Sequence, residues 1–166
     1  MQADFHHPLL DYPVMDSASG DGRTLVILRR LLLTLLTLGL ALTAFDLYLL
    51  AHFEDTNQIV PFAVIGLSLV AVAWHVVLGG AASVRVLQVA MVLMVAAGAV
   101  GVALHFRGNM EFQLDIDPSL GGWALVDKVL RAKAPPAMAP GAMAQLGLLG
   151  LIYSYRHPAL ARRQSS

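Results

Sequence analysis

The residues best placed to do chemistry in this sequence are its six histidines and a single aspartate, Asp46, inside an apolar run. An ionised carboxyl at the centre of a lipid-embedded helix costs about 2.5–3.5 kcal/mol. Asp46 stands six residues before His52, so roughly 9 Å inside the end of its run at 1.5 Å per residue. It is expected to face other helices or water, with Gln145, His105 or Arg107 as partners at similar depth. Its functional role would be a proton or cation site. A lone carboxylate with no second one in any run does not make a pump, so an interhelical bond that fixes packing is the plainer reading.

The histidines divide by position. His6 and His7 precede the apolar runs and His157 follows them, which suits solvated or interfacial roles. His52 and His105 end the first and third runs, which point the same way, so the two share a level. That is one geometric requirement of a bis-histidine haem. His75, in the inner part of the second run, has no histidine at its own depth. Two haems are therefore excluded, and a single haem at the outer edge is the alternative that remains. Ala71-Val-Ala-Trp-His75 and Gly101-Val-Ala-Leu-His105 each place a small residue four before a histidine. On a helix this clears the surface one turn away, so that a flat macrocycle could lie there while the imidazole ligates its metal. The spacing resembles the small-x-x-x-His element of bacterial light-harvesting polypeptides, which are single-span chains, and implies bacteriochlorophyll bound at His75 or His105.

Other chemistry is missing. There is no phosphate-binding glycine loop ending in Lys-Ser/Thr, no G-x-S-x-G, no H-E-x-x-H and no EF-hand spacing. The absence of cysteine removes disulfides, thiolate nucleophiles and Cys-based metal sites. Asp115, Asp117 and Glu111 read as the wet face of a strand rather than as a cation site.

The elements that carry these residues are membrane helices. Of 166 residues, 57% are hydrophobic and 13% charged, against roughly 45–50% and about 25% in soluble domains. Mean hydropathy is +0.67. Eleven basic residues balance eleven acidic ones, so net charge favours neither nucleic acid nor an acidic substrate. A hydrocarbon core of about 30 Å needs around 20 apolar residues in a helix. Residues 31–51, 59–78, 86–106 and 137–155 meet that requirement, the last being the shortest. The predicted fold is an all-α integral membrane four-helix bundle between cytoplasmic tails at 1–24 and 159–166. The long tail ahead of the first run, with Asp4, Asp11, Asp16 and Asp21, disfavours a cleaved signal peptide. Arg23, Arg29, Arg30, Arg85, Arg156, Arg162 and Arg163 fall on one side, against Arg107, Lys128, Arg131 and Lys133 on the other. Both termini are thus expected in the cytoplasm, of bacterial-inner-membrane type.

Residues 107–136 form the one long loop, expected to be periplasmic. Glu111 to Asp117 alternates, with Phe112, Leu114 and Ile116 on one side, the period of a half-buried extended segment. Pro118 stops it. Residues 119–133 read as an amphipathic surface helix with Trp123, Val126 and Leu130 on one stripe. Small residues line the third and fourth runs: Ala90, Ala97, Gly98 and Gly101, then Gly147, Gly150 and Ser154. They let helix backbones approach closely.

These features suggest a non-catalytic accessory or stabilising subunit of a larger respiratory or photosynthetic membrane complex. It would dock on other integral membrane subunits through its small-residue helix faces and through Trp123, Phe112, Leu114 and Ile116 of the outer loop, rimmed by Arg107, Lys128 and Arg131. The alternatives are a haem- or bacteriochlorophyll-ligating subunit and a small transporter or proton channel using Asp46.

Overall fold

The computed structural model describes residues 17–52, 56–132 and 140–161. Its elements are α1 (Ser17–Leu49), α2 (Thr56–Leu78), α3 (Ala81–Ile116), α4 (Gly122–Leu130), α5 (Gly141–Ser154) and the single turn α6 (Pro158–Ala161), and there is no strand among the described residues. α1, α2 and α3 are long and apolar enough to cross a membrane. α5, at 14 residues, spans about 21 Å, less than a hydrocarbon core. The acidic link at 54–55, the prolines at 135–136, Lys133, Arg162 and Arg163 lie outside the described residues.

Each long helix buries or half-buries one stripe at spacings of three and four, the pattern of helices that pack lengthwise. On α1 it runs through Leu33, Leu36, Leu40, Ala44 and Leu47; on α2 through Ile65, Ser68, Val72 and His75. On α3 it is Val84, Leu87, Met91, Met94 and Gly98, and on α5 Met143, Gly147, Gly150 and Ser154. α1 packs on α2, α2 on α3, α3 on α5, and α5 on α1, which closes a ring. The opposite faces carry Leu35, Leu38, Leu42 and Phe45 on α1 and Val70, Val76 and Val77 on α2, each more than half exposed. Apolar faces of this extent belong against lipid or protein, not water.

Glycine sets how near α3 and α5 come. A Cβ on Gly147 would lie 2.7 Å from the Met91 carbonyl oxygen and 2.9 Å from the Val95 nitrogen. A Cβ on Gly98 would lie 2.5 Å from the Ala144 nitrogen and 3.0 Å from the Pro140 oxygen. Gly150 likewise faces Met91, and Gly101 faces Pro140. Backbone therefore meets backbone along this seam, and both helices supply the gaps. Gly79 turns the chain between α2 and α3 at φ +61, a left-handed conformation open to glycine at no steric cost.

The alternating segment is not extended. α3 continues as helix through Ile116, so the expected strand at Glu111–Asp117 is overturned. A seven-residue alternation with no partner strand does not outweigh propagation of a helix already formed. The Arg107–Glu111 ion pair, 2.7 Å at i,i+4, belongs to that helix. Pro118 does stop it, by holding Asp117 in extended backbone at φ −141, ψ 92. Similarly, α1 begins at Ser17, so residues 17–24, expected as flexible tail, extend the helix.

Replacing Gly147 with Ala should force the two backbones apart and destabilise the bundle by about 1–3 kcal/mol, the range of an overpacked core. Gly66, with nothing within 4 Å of its Cβ position, is the control. Gly66→Ala should be neutral or stabilising by up to ~1 kcal/mol through helix propensity. Thermal unfolding in detergent followed by circular dichroism measures both.

Candidate functional site

Three of the buried polar side chains, His75, Ser83 and Ser154, gather at one end of the ring, where α2 ends, α3 begins and α5 ends. His75 sits one turn before the end of α2, and Ser83 lies in the first turn of α3. The Gly79–Gly80 link is only two residues long, which brings these two side chains face to face. His75 Nδ1 lies 3.0 Å from Ser83 Oγ, and Nε2 lies 2.6 Å from the Tyr153 hydroxyl on α5. Because Ser83 donates its own proton to the Gly80 carbonyl at 2.7 Å, its oxygen is the acceptor for His75 Nδ1–H. The hydrogen-bond pattern then assigns Nε2 as the acceptor from Tyr153. The chain runs Tyr153 to His75 to Ser83 to the Gly80 carbonyl, and there it stops. It spans a diagonal of the ring, tying α2 to α5, two helices that do not otherwise pack together.

His157, in the turn after α5, completes the cluster. Its ring centroid is 5.2 Å from that of His75 and 5.6 Å from that of Tyr153. Arg29 of α1 reaches across to the same turn and donates from Nη2 to the carbonyls of Tyr155, at 3.4 Å, and Arg156, at 3.2 Å. Its other terminal nitrogen, Nη1, is buried and has no hydrogen-bond partner. Burial pushes the His157 imidazole below its ordinary 6.5, and the nearby His75 and Arg29 add to the shift.

A closed chain of neutral donors and acceptors ending on a backbone carbonyl has no exit for a proton. What it does is lock three helix ends in register, since Tyr153 and His75 each donate to a side chain on another helix. Neither small-x-x-x-His face is clear in this packing. Ala71 is in the core at 1% exposure, and the space over Gly101 holds Pro140. A ligand on His75 Nε2 would also displace Tyr153. His52 and His105 do lie at one level, with ring centroids 6.3 Å apart and planes tilted by 52°.

Asp46 and Gln145 do not meet. Both are exposed. Leu146 packs on Gly39, which puts Gln145 about seven residues, or roughly 10 Å, deeper than Asp46. The buried stripe of α1 runs through Leu40, Ala44 and Leu47, which turns Asp46 outward; on α5 Met143 and Gly147 do the same to Gln145.

At the other end α4 packs on α3 through Val129, which is fully buried, with Leu125 and Val126 half-buried. The apolar arc of α4 is wider than α3 covers, and Trp123 stands 86% exposed beside Leu130. Phe112 and Ile116 are exposed as well, whereas Leu114 is half-buried. Of the expected rim, Arg107 is paired with Glu111 and Arg131 with Asp127, at 2.8 Å; Lys128 is exposed. Ser119 donates to the Asp117 carboxylate from its hydroxyl and its backbone N–H, and these bonds hold that carboxyl below its ordinary range.

Sequence reading gave His157 a solvated or interfacial role and Tyr153, Ser83 and Arg29 no role in a common site. The signal available was their shared level, one turn from the ends of adjoining helices. Comparison with known protein families, with curated proteins and with solved structures finds no match.

The lowered His157 affinity for a proton fixes a pH response. Unfolded chains take up the proton first as pH falls below 6.5, so the stability from neutral His157 is complete above that value and is lost as pH drops towards the folded value. Thermal midpoints should therefore fall from pH 7 to pH 5, and His157→Phe should flatten the profile. Tyr153→Phe should cost about 1–2 kcal/mol by leaving His75 Nε2 unpaired, read as a lower midpoint at every pH.

Proposed function

We propose that this protein is a non-catalytic membrane subunit that assembles laterally with other integral membrane proteins of a larger bacterial-type complex. The observation that carries this reading is Gln145, an amide held outward in the second turn of an apolar helix. Such a group facing hydrocarbon lacks hydrogen-bond partners, and a neighbouring helix supplies them. Asp46, outward on α1, adds a second polar contact nearer the His52 end. Trp123, Leu130, Phe112 and Ile116 offer apolar anchors of the kind that fill a partner's pocket, with Lys128 at the rim. Inside the bundle, the His75 chain serves cohesion and presents no reacting group to a cavity.

Orientation in this reading has the Arg29 end in the cytoplasm of a bacterial inner membrane. Among the described residues that end carries Arg23, Arg29, Arg30, Arg85 and Arg156 against the single carboxylate Asp21. The His52 end carries Arg107, Lys128 and Arg131 against Asp46, Glu111, Asp115, Asp117 and Asp127. The excess of arginine at the first end is what the positive-inside rule requires.

A photo-crosslinking residue at position 145 should capture a second membrane protein in mild detergent, whereas one at the buried Met143 should not. Gln145→Leu with Asp46→Leu should abolish co-purification while leaving the thermal midpoint within about 1 kcal/mol of wild type. A wild-type protein that runs as a free monomer and captures nothing at position 145 overturns the proposal, as does turnover by the isolated chain.

A further inference from the structure

The geometry points to a phosphate-binding site at Arg29, filled by the headgroup of an anionic phospholipid. Three observations meet there. Arg29 Nη1 is buried without an acceptor, and an unpaired buried donor of a charged group carries a larger penalty than a neutral one. The bonds that Nη2 makes to the Tyr155 and Arg156 carbonyls are long, 3.4 and 3.2 Å, well beyond a charge-assisted bond of about 2.7–2.9 Å. A guanidinium held this loosely can leave both carbonyls and turn its fork onto a bidentate oxygen ligand.

The surroundings leave the charge of the guanidinium unopposed. Tyr153, His157 and, behind them, His75 are the titratable groups clustered with Arg29, and none is a carboxylate. The nearest acidic group along α1 among the described residues is Asp21, eight residues or about 12 Å away. Arg30 follows Arg29 on α1, and Arg156 lies in the turn itself. An anion here neutralises charge that the protein leaves uncompensated, and basic pockets between membrane helices at this depth suit lipid phosphates.

Apolar surface on both sides of Arg29 selects a lipid over a free ion. Leu25, Val26, Ile27 and Leu28 precede it and Leu31 and Leu35 follow, each 49–57% exposed. Those side chains ring α1, whereas Arg29 lies on the stripe of Leu33, Leu36 and Leu40, so a phosphate that draws Arg29 outward brings acyl chains toward Leu31 and Leu35, the exposed residues that follow it. The carbonyls of Tyr155 and Arg156, both exposed residues, then take water in place of the guanidinium.

The test uses full-length protein in a neutral detergent and follows thermal unfolding while short-chain phosphatidylglycerol, short-chain phosphatidylcholine or inorganic phosphate is added. Saturable stabilisation by phosphatidylglycerol, absent with the other two, is expected. Arg29→Gln should weaken the apparent affinity about fivefold or more, and Arg30→Gln, its exposed neighbour, by clearly less. Equal stabilisation by phosphatidylcholine overturns the site, and so does an equal loss in both variants. Stabilisation by inorganic phosphate alone to the same extent overturns the lipid and retains the anion. If Arg29→Gln does not fold, the headgroup comparison on wild type and the weaker fork of Arg29→Lys decide the matter.

Discussion

The contact between α3 and α5 is the constraint on which the remaining packing depends. In hydrocarbon, helices gain nothing from burying apolar side chains against each other that lipid tails do not also offer, so close van der Waals packing must hold them. Gly98 and Gly101 on one helix and Gly147 and Gly150 on the other remove the side chains that would keep the backbones apart. α5 has only 14 residues and three glycines, a poor isolated helix. It is held because Met91, Val95, Ala144 and Pro140 fit directly against those gaps. Once α5 is placed, Leu146 reaches Gly39 of α1, and the ring closes.

Polar groups then do what shape alone does not. Glycine seams permit sliding by one turn, since small residues repeat along α3. The hydrogen bonds from Tyr153 to His75 and from His75 to Ser83 exist in one register only. A one-turn shift of α5 would leave the imidazole and the phenol unpaired in a dry interior, so the chain selects among arrangements that packing would accept almost equally. The directionality imposed by the Gly80 carbonyl makes the selection sharper, because the imidazole is confined to one tautomer.

Much of this was legible before any coordinates. The three long helices follow from apolar run length, and the seam from the spacing of Gly98, Gly101, Gly147 and Gly150. What periodicity could not tell is which way a polar residue points when its helix is apolar all round. Asp46 was expected to face other helices or water, with Gln145 among its possible partners, because lipid penalises it; the stripes through Leu40 and Leu47 and through Met143 and Gly147 claim the interior first. The alternation from Glu111 to Asp117 misled for a different reason. Seven residues of period two carry less weight than a preceding helix with a suitable ion pair, and only the proline afterwards carried a true stop signal. The Arg29–His157 cluster was hidden because its members come from four elements whose ends meet only in the assembled ring.

The length of α3 has a mechanical meaning. Thirty-six residues make a rod of about 54 Å, and a hydrocarbon core accounts for some 30 Å of it. The remainder continues past His105 as a rigid mast with α4 braced on its far portion. Trp123 is thereby carried at a fixed distance and angle from the rest of the molecule. A tilt imposed at that tryptophan is passed along one unbroken helix to the glycine seam.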